Sequence, residues 1–134
     1  MLRTLGFVFC LALTALFSTA QAQVPAAQLA QAPANAETWA IVSTAGQHGT
    51  SKRWTTADGT RWSRESIVLR GFVTEIDQQM RLAPDGTVQN LAIRGVTPSG
   101  DAAETFSVAN GQYQFHSAVD HGEGAYTAGT FYAS

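Results

Sequence analysis

From Ile67 to Tyr132 the chain is a train of segments in which apolar and polar residues alternate, broken by turn signals at roughly eight- to twelve-residue spacing. Alternation with a period of two puts one set of side chains on a core face and the other in water. Between Phe72 and Leu82, Ile76, Met80 and Leu82 fall on one face, with Glu75, Asp77, Gln79 and Arg81 on the other. The run Met80-Arg81-Leu82-Ala83-Pro84-Asp85-Gly86-Thr87-Val88 predicts a hairpin. Pro suits the first corner of a turn, Asp hydrogen-bonds it, and Gly supplies the positive φ that closes it. Leu91 and Ile93 share a face on the returning strand, and Gly95 to Gly100 turns the chain again. Glu104 to Val108 is the next strand and Ala109-Asn110-Gly111 the next turn. Tyr113, Phe115, Ser117 and Val119 then alternate against Gln112, Gln114, His116 and Ala118. After a break at Gly122-Glu123-Gly124, Ala125 to Tyr132 is a last, weakly alternating strand.

Upstream, Trp39-Ala40-Ile41-Val42-Ser43 is rich in β-formers, and Ala45-Gly46-Gln47-His48-Gly49 breaks it. Lys52 to Thr56 is a second short strand. It passes through an Asp-Gly turn at Ala57-Asp58-Gly59 into Thr60 to Leu69, before Arg70-Gly71 interrupts. No stretch after Thr38 has the period of an amphipathic helix. The pattern predicts an all-β fold over residues 38–134, an antiparallel meander forming a curved sheet or half-barrel.

The front of the chain breaks this pattern. Met1-Leu2-Arg3-Thr4 is a short positive segment, Leu5 to Phe17 is almost uniformly apolar, and Ala20 and Ala22 offer the small residues a signal peptidase needs. Residues 1–22 read as a helical signal peptide. The apolar run of roughly thirteen residues is short of the twenty or so that span a bilayer. Cys10 lies inside that run, behind Phe7 and Phe9, and does not form a lipidation site. The expectation is a secreted or periplasmic protein with no membrane contact after cleavage. Residues 23–37, nearly all Ala, Gln and Pro, read as a flexible spacer bracketed by Pro25 and Pro33, with Leu29 its one anchoring side chain.

Cleavage removes Cys10, the single cysteine, so the secreted part has no disulfide, thiol nucleophile or thiolate metal site. Roughly 110 residues then depend on one apolar core. With Arg3 gone, seven basic side chains face ten acidic ones, scattered without a basic run. Nucleic acid and anionic surfaces are therefore unsuitable partners.

Candidate chemistry is sparse. His116 and His121 are five apart, on opposite faces of a continuous strand, and only a break near Asp120 brings them together. Asp120-His121 reads as an exposed turn, and His48, between Gly46 and Gly49, as a loop residue. No H-x-H, H-E-x-x-H or G-x-S-x-G pattern occurs. The pairs Gly46/Gly49 and Gly122/Gly124 open no helix, as a phosphate cradle requires, and read as turns. Trp39, Trp54 and Trp62 read as sheet core rather than a stacking platform. Glu75 and Asp77 share a strand face as two surface acids. The expectation is no catalytic, cofactor-binding or metal-binding residue in this chain.

An ordered series of short motifs carries a resemblance: Arg70-Gly71, Met80-Arg81-Leu82 with Asp85-Gly86, Ile93-Arg94-Gly95, Glu104-Thr105-Phe106 and Gly129-Thr130-Phe131-Tyr132. Over about Trp39 to Tyr132 it resembles the region at the front of secreted bacterial amidohydrolases. There a signal peptide and a β segment precede a metal-dependent (β/α)8 barrel. Tyr113 and Phe115 stand where that family often has Trp. The resemblance implies a non-catalytic N-terminal domain whose partner is a downstream barrel of the same protein, hydrolysing C–N bonds with a divalent metal, zinc foremost. No catalytic residue transfers, because those ligands lie in the barrel. An uncharged final strand over Ala125 to Ala133 would be a poor free edge and a natural junction to a following domain. The alternative is a stand-alone periplasmic sheet whose concave face holds a lipid or other apolar ligand.

Overall fold

The computed structural model describes residues 24–130 and Tyr132. The expected signal peptide lies outside the described residues. Residues 26–28 form one turn of 3-10 helix. Nine strands follow: β1 (Glu37–Ser43), β2 (Gly46–Thr55), β3 (Arg61–Leu69), β4 (Phe72–Leu82), β5 (Val88–Thr97), β6 (Gly100–Asp101), β7 (Glu104–Ala109), β8 (Gln112–Ser117) and β9 (His121–Ala125). They make one antiparallel sheet in the order β1-β2-β3-β4-β5-β7-β8-β9, with the short β6 on the end of β5. The predicted all-β meander is what forms. The sheet is open rather than closed into a barrel.

Local chemistry explains the path. Thr56-Ala57-Asp58-Gly59-Thr60 and Ala83-Pro84-Asp85-Gly86-Thr87 are the same loop made twice. In each, the Asp carboxylate accepts from the N–H and hydroxyl of the Thr two residues on. The Arg70-Gly71 interruption is a two-residue hairpin with φ values of 53° and 82°. Positive φ at both central positions matches the twist of the flanking strands, and glycine enters it without steric cost. A shift of register between Ile41 and Val42 leaves His48 as the extra residue of a bulge in β2.

Two glycine pairs depart from expectation. Gly46 and Gly49 lie within β2, and Gly122 and Gly124 lie within β9, rather than in turns. Phe115 and Tyr113 are their cross-strand partners, and those rings fold over the glycines. A Cβ at Gly122 would stand 2.6 Å from Phe115 Cε1, and one at Gly124 3.0 Å from Tyr113 Cε1. Aromatic rings thus cover the bare backbone that glycine leaves in an edge strand. The expected strand over 125–132 ends at Ala125, and residues 126–130 form a turn. The edge that does form carries Glu123 in place of an uncharged run.

The sheet is a single layer. Leu29, Leu91 and Phe106 are its buried apolar side chains among the described residues, and Asp77 is the most deeply buried side chain of all. Residues 24–36 lie against the sheet: Leu29 is 2% exposed, and the Ala30 N–H donates to Asp77 Oδ2 at 2.6 Å. The segment read as a spacer is thus tied down at two adjacent residues.

Candidate functional site

Register divides the sheet into two unlike faces. Lys52, Trp54, Trp62, Arg64, Glu75, Asp77, Gln79, Arg94, Thr105, His116 and His121 share one face, because directly paired residues point the same way. This polar face has a charged centre across β3, β4 and β5. Arg64 pairs with Glu75, whose other oxygen accepts from the Ser66 hydroxyl. Arg94 donates to Asp77 through Nε at 3.0 Å and through a second guanidinium nitrogen. The Asp77 bond holds the Arg94 guanidinium above its ordinary pKa, against the opposing effect of burial. Asp77, read from sequence as a surface acid, is 1% exposed, because residues 29 and 30 close over it. Near the end of the sheet, Asp58 receives the Thr56 hydroxyl, the Thr60 N–H and Arg81. These donors keep its carboxyl far below the usual range.

The tryptophans neither form one core nor one platform. Trp54 and Trp62 stack across β2 and β3 with centroids 5.9 Å apart and planes within 4°, both half-buried on the polar face. Trp39 is on the opposite face, 44% exposed, with the Arg53 guanidinium 5.3 Å over its ring. His48 accepts or donates at 2.6 Å to the Ser43 hydroxyl across the bulge. The Asp120 carboxylate accepts from the backbone N–H of His121 rather than its ring, so it orients no imidazole. Among the described residues, no three or more His, Cys, Asp or Glu converge as metal ligands.

The second face is apolar over much of its extent. Ile67, Ile76, Met80, Leu91, Ile93, Phe106, Val108, Tyr113 and Phe115 occupy it in adjacent strands. Tyr132 lies on its far end, stacked on Phe106 at a centroid distance of 4.3 Å and tilted on Phe115 at 6.2 Å, with its hydroxyl donating to Glu104. At the other end, Leu69 and Phe72 extend the apolar face to the tip of the β3–β4 hairpin at 43% and 62% exposure, while their neighbours Val68 and Val73 pair on the polar face. A sheet with an apolar face is stable when a second layer covers it. Tyr132 covers part of this face at its Phe106 end. Sequence reading missed this because alternation names the buried face without saying what lies over it.

Tyr132 also gives the site an alkaline signature. Burial first, and the Glu104 bond second, push its hydroxyl up to about 12. A tyrosine in the unfolded chain ionises near 10. Its folded pKa is raised, so the contribution to stability is complete below about pH 10 and is lost as pH rises through about 12. Absorbance of tyrosinate should show an ionisation near pH 12. Tyr132→Phe should remove that step; its persistence in the variant would assign it to another ring.

No family model, curated protein or solved structure matches the chain.

Proposed function

We propose that this chain is the non-catalytic N-terminal β domain of a secreted amidohydrolase, and that its apolar sheet face packs against the catalytic barrel. The observation that carries the reading is a single-layer sheet with a broad apolar face that runs out to exposed Leu69 and Phe72 at a hairpin tip. Covering one large apolar side chain is worth roughly 1.5–3 kcal/mol, so a second layer over this face would be strongly favoured. The ordered motif series supports the family. Ile93 and Phe106 lie on the apolar face, and Arg70-Gly71 makes the tip hairpin. Tyr132 lies over this same face, against Phe106 and Phe115, and its packing there supports a covered rather than a bare face.

In this reading the chemistry belongs to the barrel, where a bound divalent metal lowers the pKa of a water that attacks the C–N substrate. The β domain supplies packing and shapes the barrel mouth. Coding sequence read past Ser134 should continue in frame into a barrel bearing H-x-H. A stop codon directly after Ser134 would overturn the proposal. An apolar ligand identified by mass spectrometry of the purified protein would instead favour a carrier that covers its own face with lipid.

A further inference from the structure

The polar face ends in a pair of histidines that the proposed domain role does not use. His116 on β8 and His121 on β9 are direct cross-strand partners. The turn at Ser117 to Asp120 makes this possible: the Ser117 N–H donates to the Asp120 carbonyl at 2.7 Å, and the Asp120 N–H donates to the Ser117 hydroxyl at 3.0 Å. Five residues apart in a straight strand, the rings would point to opposite faces. The reversal puts them on one face, with centroids 6.3 Å apart and planes 29° from parallel. Both residues are exposed, and their rings make no side-chain hydrogen bond among the described residues. A concave surface lined by Thr105, Gln114 and Glu123 opens beside them.

We infer that His116 and His121 form a two-ligand site for a late first-row divalent cation, with Cu2+ bound most tightly. Neutral imidazole is the preferred protein ligand for copper, nickel and zinc, and affinity at a nitrogen site peaks at copper. A metal–imidazole bond is about 2.0–2.1 Å, so two rings on one ion bring their centroids to about 5 Å. Closing from 6.3 Å takes rotation of two exposed side chains while the strands stay fixed. Register supplies the preorganisation: once one ring binds, the hairpin presents the second at high effective concentration. Water completes the shell, since no third ligand converges among the described residues. Glu123, one pair along on the same face with its carboxylate 3.4 Å from the Gln114 amide, adds negative charge beside the cation.

Calorimetric titration of the untagged protein with Cu2+ at neutral pH tests the site. About one equivalent should bind, and His116→Gln or His121→Gln should each weaken binding by about tenfold or more. The double variant should be no weaker than either single one, because one ring cannot chelate alone. His48→Gln should bind as the parent does. Circular dichroism of each variant establishes that the sheet is intact, as expected for two exposed side chains. Unchanged affinity in both single variants, or an equal loss in His48→Gln, would overturn the inference.

Discussion

Asp77→Ala should cost the protein about 3 kcal/mol of stability, the low end of the range for breaking a buried ion pair. The Asp77 side chain is 1% exposed and accepts from two nitrogens of Arg94 and from the Ala30 N–H. Removing it strands a backbone donor and a guanidinium together. Arg94 is 41% exposed and regains water, which keeps the cost from the upper end of the range. The Ala30 N–H has no such route while Leu29 stays buried, so residues 24–36 should leave the sheet. Two readouts separate these effects. Denaturant unfolding should show a lower midpoint, and hydrogen exchange at Ala30 should accelerate more than at amides in β8. Asp77→Asn keeps an acceptor for Ala30 but turns an N–H2 group toward Arg94, so it should retain slow exchange at Ala30 while still losing stability. A midpoint for Asp77→Ala within about 0.5 kcal/mol of the parent would show that the acid contributes no more than an ordinary surface residue.

Much of the sheet was legible because its signals are local. The two Asp-Gly-Thr loops, the Asn110-Gly111 turn and the alternation through β4 and β5 each need only a few residues to specify them. What escaped the reading depends on residues distant in sequence. Asp77 has the polar neighbours of a surface acid; its burial comes from Leu29 and Ala30, with Ala30 47 positions away. Gly122 and Gly124 carry turn chemistry, yet the rings of Phe115 and Tyr113 across the hairpin make them strand residues. Trp39, Trp54 and Trp62 crowd the first strands and read as one core, whereas register splits them between two faces. His116 and His121 were separated by strand parity and reunited by the turn at Asp120, the one break that could do so.

These long-range effects converge on the middle of the sheet. Asp77 and Arg94 face each other across β4 and β5, and the neighbouring pair, Ile76 with Gly95, occupies the opposite face. The same two strands thus hold the buried charge on one side and the apolar surface on the other. Damage to their spacing should disturb both.

Gly95→Ala is the substitution expected to do that damage. Gly95 has φ of 118°, and a Cβ there would lie 2.0 Å from the Glu75 carbonyl oxygen and 2.9 Å from Ile76 Cα. Both obstacles are backbone, so no rotamer change relieves them. β5 also changes partner here: its pairing with β7 ends at Ile93 and that with β6 begins at Val96. The Gly95 carbonyl meanwhile accepts from the Ala102 N–H at 3.0 Å. A methyl group therefore forces β4 and β5 apart beside the Asp77–Arg94 pair, and a loss of about 4 kcal/mol or more is expected. Gly86 provides the control. Its φ of 86° is also positive, but no atom lies within 4 Å of the added Cβ. Gly86→Ala should cost only the conformational penalty, about 1–2 kcal/mol. Urea unfolding of the two variants decides whether close approach or φ alone governs Gly95. Equal midpoints would mean that β4 and β5 accommodate the methyl group, and the tight approach at Ile76 would carry no energetic weight.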